Sequence, residues 1–231
     1  MSANDLSGRY AQTRTRIASA ATRCGRAAES VGLVAISKGQ PAAAVRQVAE
    51  LGQRDFGENY LQEAIPKMQE LEDLRLTWHF TGQVQANKTR LIASHFDWIH
   101  TLDRERIAAR LSEQRSAHLP PINVCIQVQL EAEEGKGGIK PEELADLAGR
   151  IRALPRLRLR GLMTLPPPRD AFDAQKAVFD RLAALLRELN VSGFDLDTLS
   201  MGMSADVEAA VAAGATLVRI GTGVFGERKK G

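Results

Sequence analysis

Eight short apolar runs alternate with longer helical segments along almost the whole chain, and this alternation constrains the fold most. The predicted strands cover residues 33–37, 54–58, 76–81, 97–101, 122–130, 157–163, 196–199 and 216–220. Strands that alternate with helices favour a parallel sheet, and eight such steps favour closure into a (β/α)8 TIM barrel. The length of 231 residues is about right for one barrel of this kind.

The two ends of the chain indicate how such a barrel is completed. Residues 3–30 predict an amphipathic helix, whereas only residues 221–231 follow the last predicted strand. We therefore expect the N-terminal helix to pack on the barrel where a final helix is missing. A doubly wound open sheet is the alternative, but no G-x-G-x-x-G motif follows the first strand. Because no linker divides the sequence, we expect a single domain over residues 1–231.

The composition argues against several classes of protein. Hydrophobic residues make up 44% and charged residues 26% of the chain, and the formal charge of +3 is dispersed rather than concentrated in a nucleic-acid-binding stripe. No apolar stretch reaches the ~18 residues that a membrane span needs, and the N-terminus lacks a signal-peptide core. Two cysteines form neither a metal-type spacing nor a disulfide framework. We expect a cytoplasmic protein without a metal site and, since no heptad seam is sustained, a monomer.

Two glycine turns follow the last two predicted strands, where barrels of this type often bind phosphate. They are residues 200–204 (SMGMS) and residues 219–223 (RIGTG). Glycine lets the backbone approach an anion, and free N–H groups at a helix start can donate to its oxygens. We expect Ser204 to be the N-cap of a helix over 204–213, with Gly221 and Thr222 contributing from the other loop. Either loop alone is equally well explained by ordinary turn glycines, but the pair favours an anion site.

One lysine is placed for covalent chemistry. Lys38 follows the first predicted strand directly, so it lies at the C-terminal mouth of the predicted barrel. An amine there forms a Schiff base with a carbonyl compound if partial burial keeps it neutral part of the time. A solvated surface lysine is the alternative. With the two glycine turns, Lys38 predicts a bound aldehyde phosphate, although a Schiff-base aldolase acting on a sugar phosphate would use the same groups.

Seven stretches, spread over almost the whole chain, form a more specific set. They are AISK at 35–38, DFGENY at 55–60, WHFTGQ at 78–83, QANK at 85–88, RGLM at 160–163, LSMGMS at 199–204 and VRIGT at 218–222. In this order they resemble the pyridoxal phosphate (PLP) homeostasis protein family. The resemblance implies a barrel like the N-terminal domain of alanine racemase, with PLP as the cofactor.

The resemblance also implies a set of cofactor-binding residues: Lys38, Asn59, Ser204, Arg219, Gly221 and Thr222. Lys38 would carry PLP as an aldimine, and the residues of the two glycine turns would contact its phosphate. Arg219 would face the pyridine nitrogen, by analogy with the racemase barrel, and Asn59 would lie near the ring. His79 and Ser200 lie in matching motifs with less defined roles. Lys136 is a candidate gate or second amine for PLP, with a plain surface loop as the alternative.

The implied position of Arg219 bears on catalysis. A permanent positive charge beside the pyridine nitrogen disfavours its protonation and weakens the ring as an electron sink. The two tyrosines, Tyr10 and Tyr60, lie far in sequence from the C-terminal end, where a racemase adds its second base. We therefore predict PLP binding without robust catalysis, and the resemblance implies storage and delivery of PLP, with PLP-dependent apoenzymes as partners. A PLP-dependent amino-acid racemase is the alternative.

Overall fold

A computed structural model describes residues 3–131 and 137–227 of the chain. Eight parallel strands form a closed barrel in which each strand pairs with the next and the last pairs with the first. They are β1 (Gly32–Ile36), β2 (Asp55–Glu58), β3 (Thr77–Phe80), β4 (Trp98–Leu102), β5 (Ile122–Gln127), β6 (Leu157–Met163), β7 (Thr198–Ser200) and β8 (Leu217–Ile220). The predicted (β/α)8 TIM barrel is confirmed, and the open sheet is excluded.

Helices follow the strands in the predicted order. They are α1 (Ala3–Arg23), α2 (Ala42–Glu50), α3 (Leu61–Glu70), α4 (Thr89–His95), α5 (Glu105–Gln114), α6 (Leu144–Arg152), α7 (Phe172–Val191), α8 (Val207–Ala212) and α9 (Thr222–Phe225). The first helix is shorter than the predicted 3–30, because Gly25 has φ +70° and a left-handed glycine ends a helix. Within the described ranges, no helix is both long enough and apolar enough to cross a membrane.

The predicted fifth strand, 122–130, is too long. The strand ends at Gln127, and Val128 then forms an isolated parallel bridge with Ile139 instead of continuing the ladder. The backbone of Val128 still donates to the carbonyl of Met163 at 2.8 Å. The alternating apolar pattern therefore continues past the regular strand, into the loop that approaches the C-terminal end of the barrel.

The barrel strands bury mostly apolar side chains, together with a group of polar side chains in the barrel interior. Parallel strands that helices cover are buried on both faces, and Val34, Val124 and Ile126 are fully buried. Buried polar side chains also come from strands, among them His79, His100, Ser200 and Arg219. Since a buried polar group needs a hydrogen-bond partner, these residues mark a part of the interior with a role beyond packing.

Helix α1 packs against α8 and α9, the two helices next to the last strands. Its buried face includes Leu6, Tyr10 and Ile17. Helix α9 has only four residues, so it covers little of the barrel surface after β8. The N-terminal helix thus lies where a longer eighth helix would otherwise pack.

Candidate functional site

A cleft of about 380 Å³ lies at the C-terminal ends of the strands, where this fold places its active sites. All six residues predicted to bind the cofactor line it: Lys38, Asn59, Ser204, Arg219, Gly221 and Thr222. Further lining comes from Ile36, Thr81, Leu165, Met203 and Ala205. Residues that lie as far apart in sequence as Lys38 and Thr222 therefore meet in one place. Lys136, the candidate gate, lies outside the described residues.

The two glycine turns meet at the hydroxyl of Ser204. Ser204 Oγ accepts a hydrogen bond from Thr222 Oγ1 at 3.1 Å and one from the backbone N–H of Gly223 at 3.4 Å. A Cβ at Gly223 would lie 2.8 Å from Ile220 Cγ2 and 3.6 Å from Ser204 Oγ, so glycine permits this approach. One hydroxyl from each loop, those of Ser204 and Thr222, therefore meet in the lining of the cleft, an arrangement suited to an anion.

The predicted N-cap role of Ser204 is wrong. Helix α8 begins at Val207, and Asp206 occupies the N-cap position. The Asp206 carboxylate accepts a hydrogen bond from the backbone N–H of Met203 at 2.6 Å. This bond closes a tight turn over residues 203–206, so the helix starts three residues later than predicted. Ser204 is consequently turned towards the neighbouring loop rather than towards its own helix.

Helix α1 holds both glycine turns from behind. Arg16 Nη1 donates to the carbonyl of Ser204 at 2.7 Å, while the same guanidinium contacts both carboxylate oxygens of Glu208. Thr13 Oγ1 donates to the carbonyl of Gly223 at 2.8 Å. One residue of α1 thus fastens each turn. The sequence carries no motif that marks Arg16 or Thr13, and neither was among the predicted site residues.

A buried ion pair anchors the backbone directly before Lys38. Lys67 Nζ, on α3, donates to the carbonyl of Ser37 at 2.8 Å and to Glu58 Oε1 at 2.5 Å. The hydroxyl of Ser37 donates to the same carboxylate oxygen at 2.6 Å. Burial raises the pKa of Glu58, while Lys67 and Ser37 oppose that shift. The backbone segment that carries Lys38 is therefore hydrogen-bonded through Ser37 to two neighbouring elements, β2 and α3.

Arg219 presents a fixed cation to the cleft. Only 4% of the residue is exposed. Its Nη1 donates to Ser200 Oγ at 2.7 Å and its Nη2 to the carbonyl of Thr164 at 2.9 Å. Burial lowers the pKa of Arg219 to about 10, so the guanidinium remains charged at neutral pH. At the end of β2, Thr81 Oγ1 donates to Asn59 Oδ1 at 2.8 Å and orients that amide.

Behind Arg219 a row of polar side chains crosses the barrel interior. Ser200 Oγ lies 2.7 Å from His100 Nδ1, and His100 Nε2 lies 2.8 Å from His79 Nδ1. His79 Nε2 lies 3.0 Å from Asp55 Oδ1. Burial lowers the pKa of His100 well below its ordinary value, with further contributions from His79 and Arg219. Among residues 3–131 and 137–227, no group of three or more His, Cys, Asp or Glu could hold a metal ion.

The fold and the site define a class of protein. Residues 11–229 match the family model for the N-terminal domain of alanine racemase. A solved alanine racemase of Clostridium difficile 630 superimposes with a TM-score of 0.74 at 12% identity, over 87% of this chain and 53% of that chain. At so low an identity the likeness concerns the fold alone. The chain is thus a barrel of the alanine racemase type.

Relatives of higher sequence identity place the chain in one family within this class. The pyridoxal phosphate homeostasis protein of Pseudomonas aeruginosa is 57% identical over 221 residues, which cover 96% of this chain and 95% of the relative. PipY of Synechococcus elongatus PCC7942, solved with PLP bound, is 41% identical with a TM-score of 0.80, over 85% of this chain and 93% of that chain. The chain belongs to the pyridoxal phosphate homeostasis protein family. The resemblance predicted from the seven motifs is confirmed.

Proposed function

We propose that this chain binds PLP in the cleft at the C-terminal ends of the strands and serves PLP homeostasis without robust catalysis. The observation that carries this proposal is the convergence of a lysine, residues of the two glycine turns and a buried guanidinium in that single cleft. The PLP-bound structure of PipY, a relative of similar fold, supports it. Storage and delivery of PLP to dependent apoenzymes, and the balance of amino-acid and keto-acid pools, are part of the proposal.

The residues of the cleft suit each part of the cofactor. PLP supplies an aldehyde that condenses with a primary amine, and it carries a phosphate on the same ring. Lys38 provides the amine, while Ser204, Thr222 and the glycine backbone provide hydroxyl and N–H donors for phosphate oxygens. An anion is stabilised by such donors where the backbone can come close. Asn59, held by Thr81, adds a fixed polar group directly after β2, the strand next to β1 on the side away from β8.

The charge of Arg219 favours a site that binds the cofactor without catalytic turnover of a substrate. A guanidinium donates hydrogen bonds and accepts none, so it favours a neighbouring ring nitrogen that stays unprotonated. An unprotonated pyridine withdraws electrons less well from a bound amino acid. The contacts of Arg219 with Ser200 and Thr164 keep this cation in place. The proposed site therefore binds the cofactor but leaves its ring a weak electron sink for catalysis.

Absorbance spectroscopy tests the proposal with one variant and one matched control. We expect PLP to give the purified protein a visible absorbance band that Lys38→Ala abolishes. Lys88 lines an adjoining cleft, and Lys88→Ala is expected to keep the band. A parent protein that stays colourless after added PLP would overturn the cofactor assignment and favour the sugar-phosphate aldolase. A band that survives Lys38→Ala would move the attachment to another amine.

Removing the Ser204 hydroxyl tests whether the two glycine turns bind the phosphate, independently of the amine of Lys38. Ser204→Ala deletes the group that joins the two loops. Losing a hydrogen bond to a charged group costs about 1.5 kcal/mol, so we expect Kd for PLP to rise about tenfold. Pyridoxal has no phosphate, and its weaker binding is expected to be the same in parent and variant. An equal loss for both ligands would contradict a phosphate role for Ser204.

A racemase-like enzyme is the second candidate, and one side chain favours it. Tyr60 is far from the C-terminal end in sequence, yet it lines a cleft that adjoins the site and shares Asn59 with it. Its side chain is well exposed, so a tyrosine hydroxyl is accessible near the site. Chiral chromatography of alanine, after incubation with the PLP-loaded protein, measures racemisation. Turnover above that of free PLP, lost in Tyr60→Phe, would establish the enzyme and refute the non-catalytic proposal.

We propose a single domain and a cytoplasmic monomer that does not bind nucleic acid. The dispersed charge argues against nucleic-acid binding, and the two free cysteines are typical of a reducing compartment such as the cytoplasm. Light scattering coupled to size-exclusion chromatography measures the mass in solution, and a mass well above 25.2 kDa would refute the monomer.

A further inference from the structure

Five polar side chains form one continuous row of hydrogen bonds across the barrel, which we call the interior row. Its members come from five strands: Arg219 on β8, Ser200 on β7, His100 on β4, His79 on β3 and Asp55 on β2. The first four are almost completely buried, whereas the side chain of Asp55, the first residue of its strand, is 43% exposed. The row therefore leads from solvent at the N-terminal end of β2 to a residue that lines the cleft.

The chemistry of the side chains sets a single direction along the row. Arg219 can only donate, so Ser200 Oγ accepts from Nη1 at 2.7 Å. The hydroxyl proton of Ser200 is then available to His100 Nδ1, which must be unprotonated to accept it. The proton of His100 consequently sits on Nε2 and is donated to His79 Nδ1. By the same step, His79 Nε2–H donates to the carboxylate of Asp55.

The opposite direction is poorly compatible with these contacts. It would require either that Asp55 donates as a carboxylic acid, although its side chain is 43% exposed to water, or that the buried His79 carries a proton on both ring nitrogens. It would also direct protons from both Arg219 and His100 at the one oxygen of Ser200. A cation at one end and a carboxylate at the other stabilise the forward direction through every link. The lowered pKa of His100 agrees with a neutral ring between them.

We propose that the interior row fixes His79 and His100 as neutral Nε2–H tautomers, and that Asp55 acts through them as a positioning residue for Arg219. Without the Asp55 acceptor, the His79 ring is free to exchange its proton between the two nitrogens. A protonated His79 Nδ1 no longer accepts from His100, so the chain of acceptors behind Ser200 is lost. The hold on the guanidinium then weakens, although Asp55 never touches the cleft.

Nitrogen NMR tests the tautomers on the ligand-free protein. The chain has four histidines, and the double variant His95→Gln/His118→Gln leaves only the two buried ones. Long-range ¹H–¹⁵N spectra distinguish a protonated from an unprotonated ring nitrogen. We expect a protonated Nε2 and an unprotonated Nδ1 in both His79 and His100. A protonated Nδ1 in either ring would overturn the direction of the row.

Ligand titration tests the coupling to the cleft, and this part rests on the proposed PLP binding. Asp55→Ala is expected to raise Kd for PLP about fivefold, a typical coupling between distant sites, and to mix the tautomers. Asp55→Asn keeps an acceptor oxygen, so it is expected to restore both. Asp197 is the matched control, since it is a half-exposed carboxylate that directly precedes β7 and pairs with Arg160 outside the row.

The outcomes are distinguishable from failure of the proposed function. If Asp55→Ala and Asp197→Ala change the tautomers and the affinity equally, Asp55 has no special position and the proposal is refuted. If the parent does not bind PLP, the proposed function fails. The tautomers of His79 and His100 in the ligand-free protein still decide the direction of the interior row.

Discussion

Replacing Lys67 by methionine should show how much the buried Lys67–Glu58 ion pair contributes to the free energy of unfolding. This pair contacts the backbone of Ser37, directly before Lys38. The side chains of Lys67 and Glu58 are 6% and 0% exposed, so water cannot replace a lost partner. Methionine keeps an unbranched apolar stem but has no ammonium group. The variant therefore leaves the Glu58 carboxyl without its cation, while the carbonyl of Ser37 keeps only the hydrogen bond from the backbone N–H of Gln40.

The expected magnitude follows from this burial. Removing one partner of a buried pair costs about 3–5 kcal/mol. For a chain of this size, 1 kcal/mol lowers Tm by roughly 2–4 °C, so Lys67→Met should lower Tm by roughly 10 °C. Replacing both partners, as in Lys67→Met/Glu58→Gln, removes the uncompensated charge and should recover most of the loss.

The loss should also depend on pH, with a sign that the burial of Glu58 determines. Burial already raises the pKa of Glu58, and loss of the Lys67 cation raises it further. A carboxyl group with a raised folded-state pKa destabilises the fold as pH rises above its unfolded-state pKa of about 4.3. The destabilisation grows until pH reaches the raised value. Lys67→Met should therefore cost more at pH 8 than at pH 5.

Thermal and urea unfolding of the parent, the single variant and the double variant at pH 5 and pH 8 provide the measurement. Arg150→Met serves as the control, because Arg150 and Glu105 form a pair whose side chains are about half exposed. Exposed pairs contribute little, so this control should change Tm by very little. A Lys67→Met variant that behaves like Arg150→Met, or that loses equal stability at both pH values, would refute the reasoning.

Two further perturbations have equally direct readouts. Burial raises the pKa of Cys125 to about 12, while Cys24 is exposed, so thiol titration of the native protein should find one reactive group, lost in Cys24→Ser. Two fast thiols would show that Cys125 is accessible. Gly202 has φ +96° and a Cβ there would lie 2.5 Å from Ala210 Cβ, so Gly202→Ala should cost about 2–4 kcal/mol. Gly193→Ala, with φ +84° and open space around it, should cost only about 1–2 kcal/mol; equal losses would rule out the clash.

The barrel and the position of the cleft were predictable from local patterns. Strand and helix lengths follow from apolar periodicity and from glycine and proline positions, which act within a few residues. Once eight parallel strands are assigned, the topology places their C-terminal ends together. Lys38 and Thr222 therefore had to lie at the same end of the barrel. Strand ends remained uncertain by one to three residues, as the shortened β5 illustrates.

The supporting contacts were not predictable, because they depend on how distant elements pack. Arg16 and Thr13 are ordinary residues of an amphipathic helix until α1 meets the loops after β7 and β8. His79 and His100 lie 21 residues apart, and only the register of β3 against β4 brings their rings together. The late start of α8 could have been predicted from the sequence, because Asp206 is as favoured an N-cap residue as Ser204.

The fastening of α1 to the two glycine turns also has a consequence for how the protein is made. Arg16 and Glu208 are 192 positions apart, and Thr13 and Gly223 are 210 positions apart. Synthesis delivers the N-terminal helix first, and contacts across so long a stretch of chain form late and slowly. The loops around Ser204 are therefore completed only after the ribosome has released their last residues. A bound ligand in this cleft would show that the chain has been synthesised beyond Gly223 and that the barrel is closed.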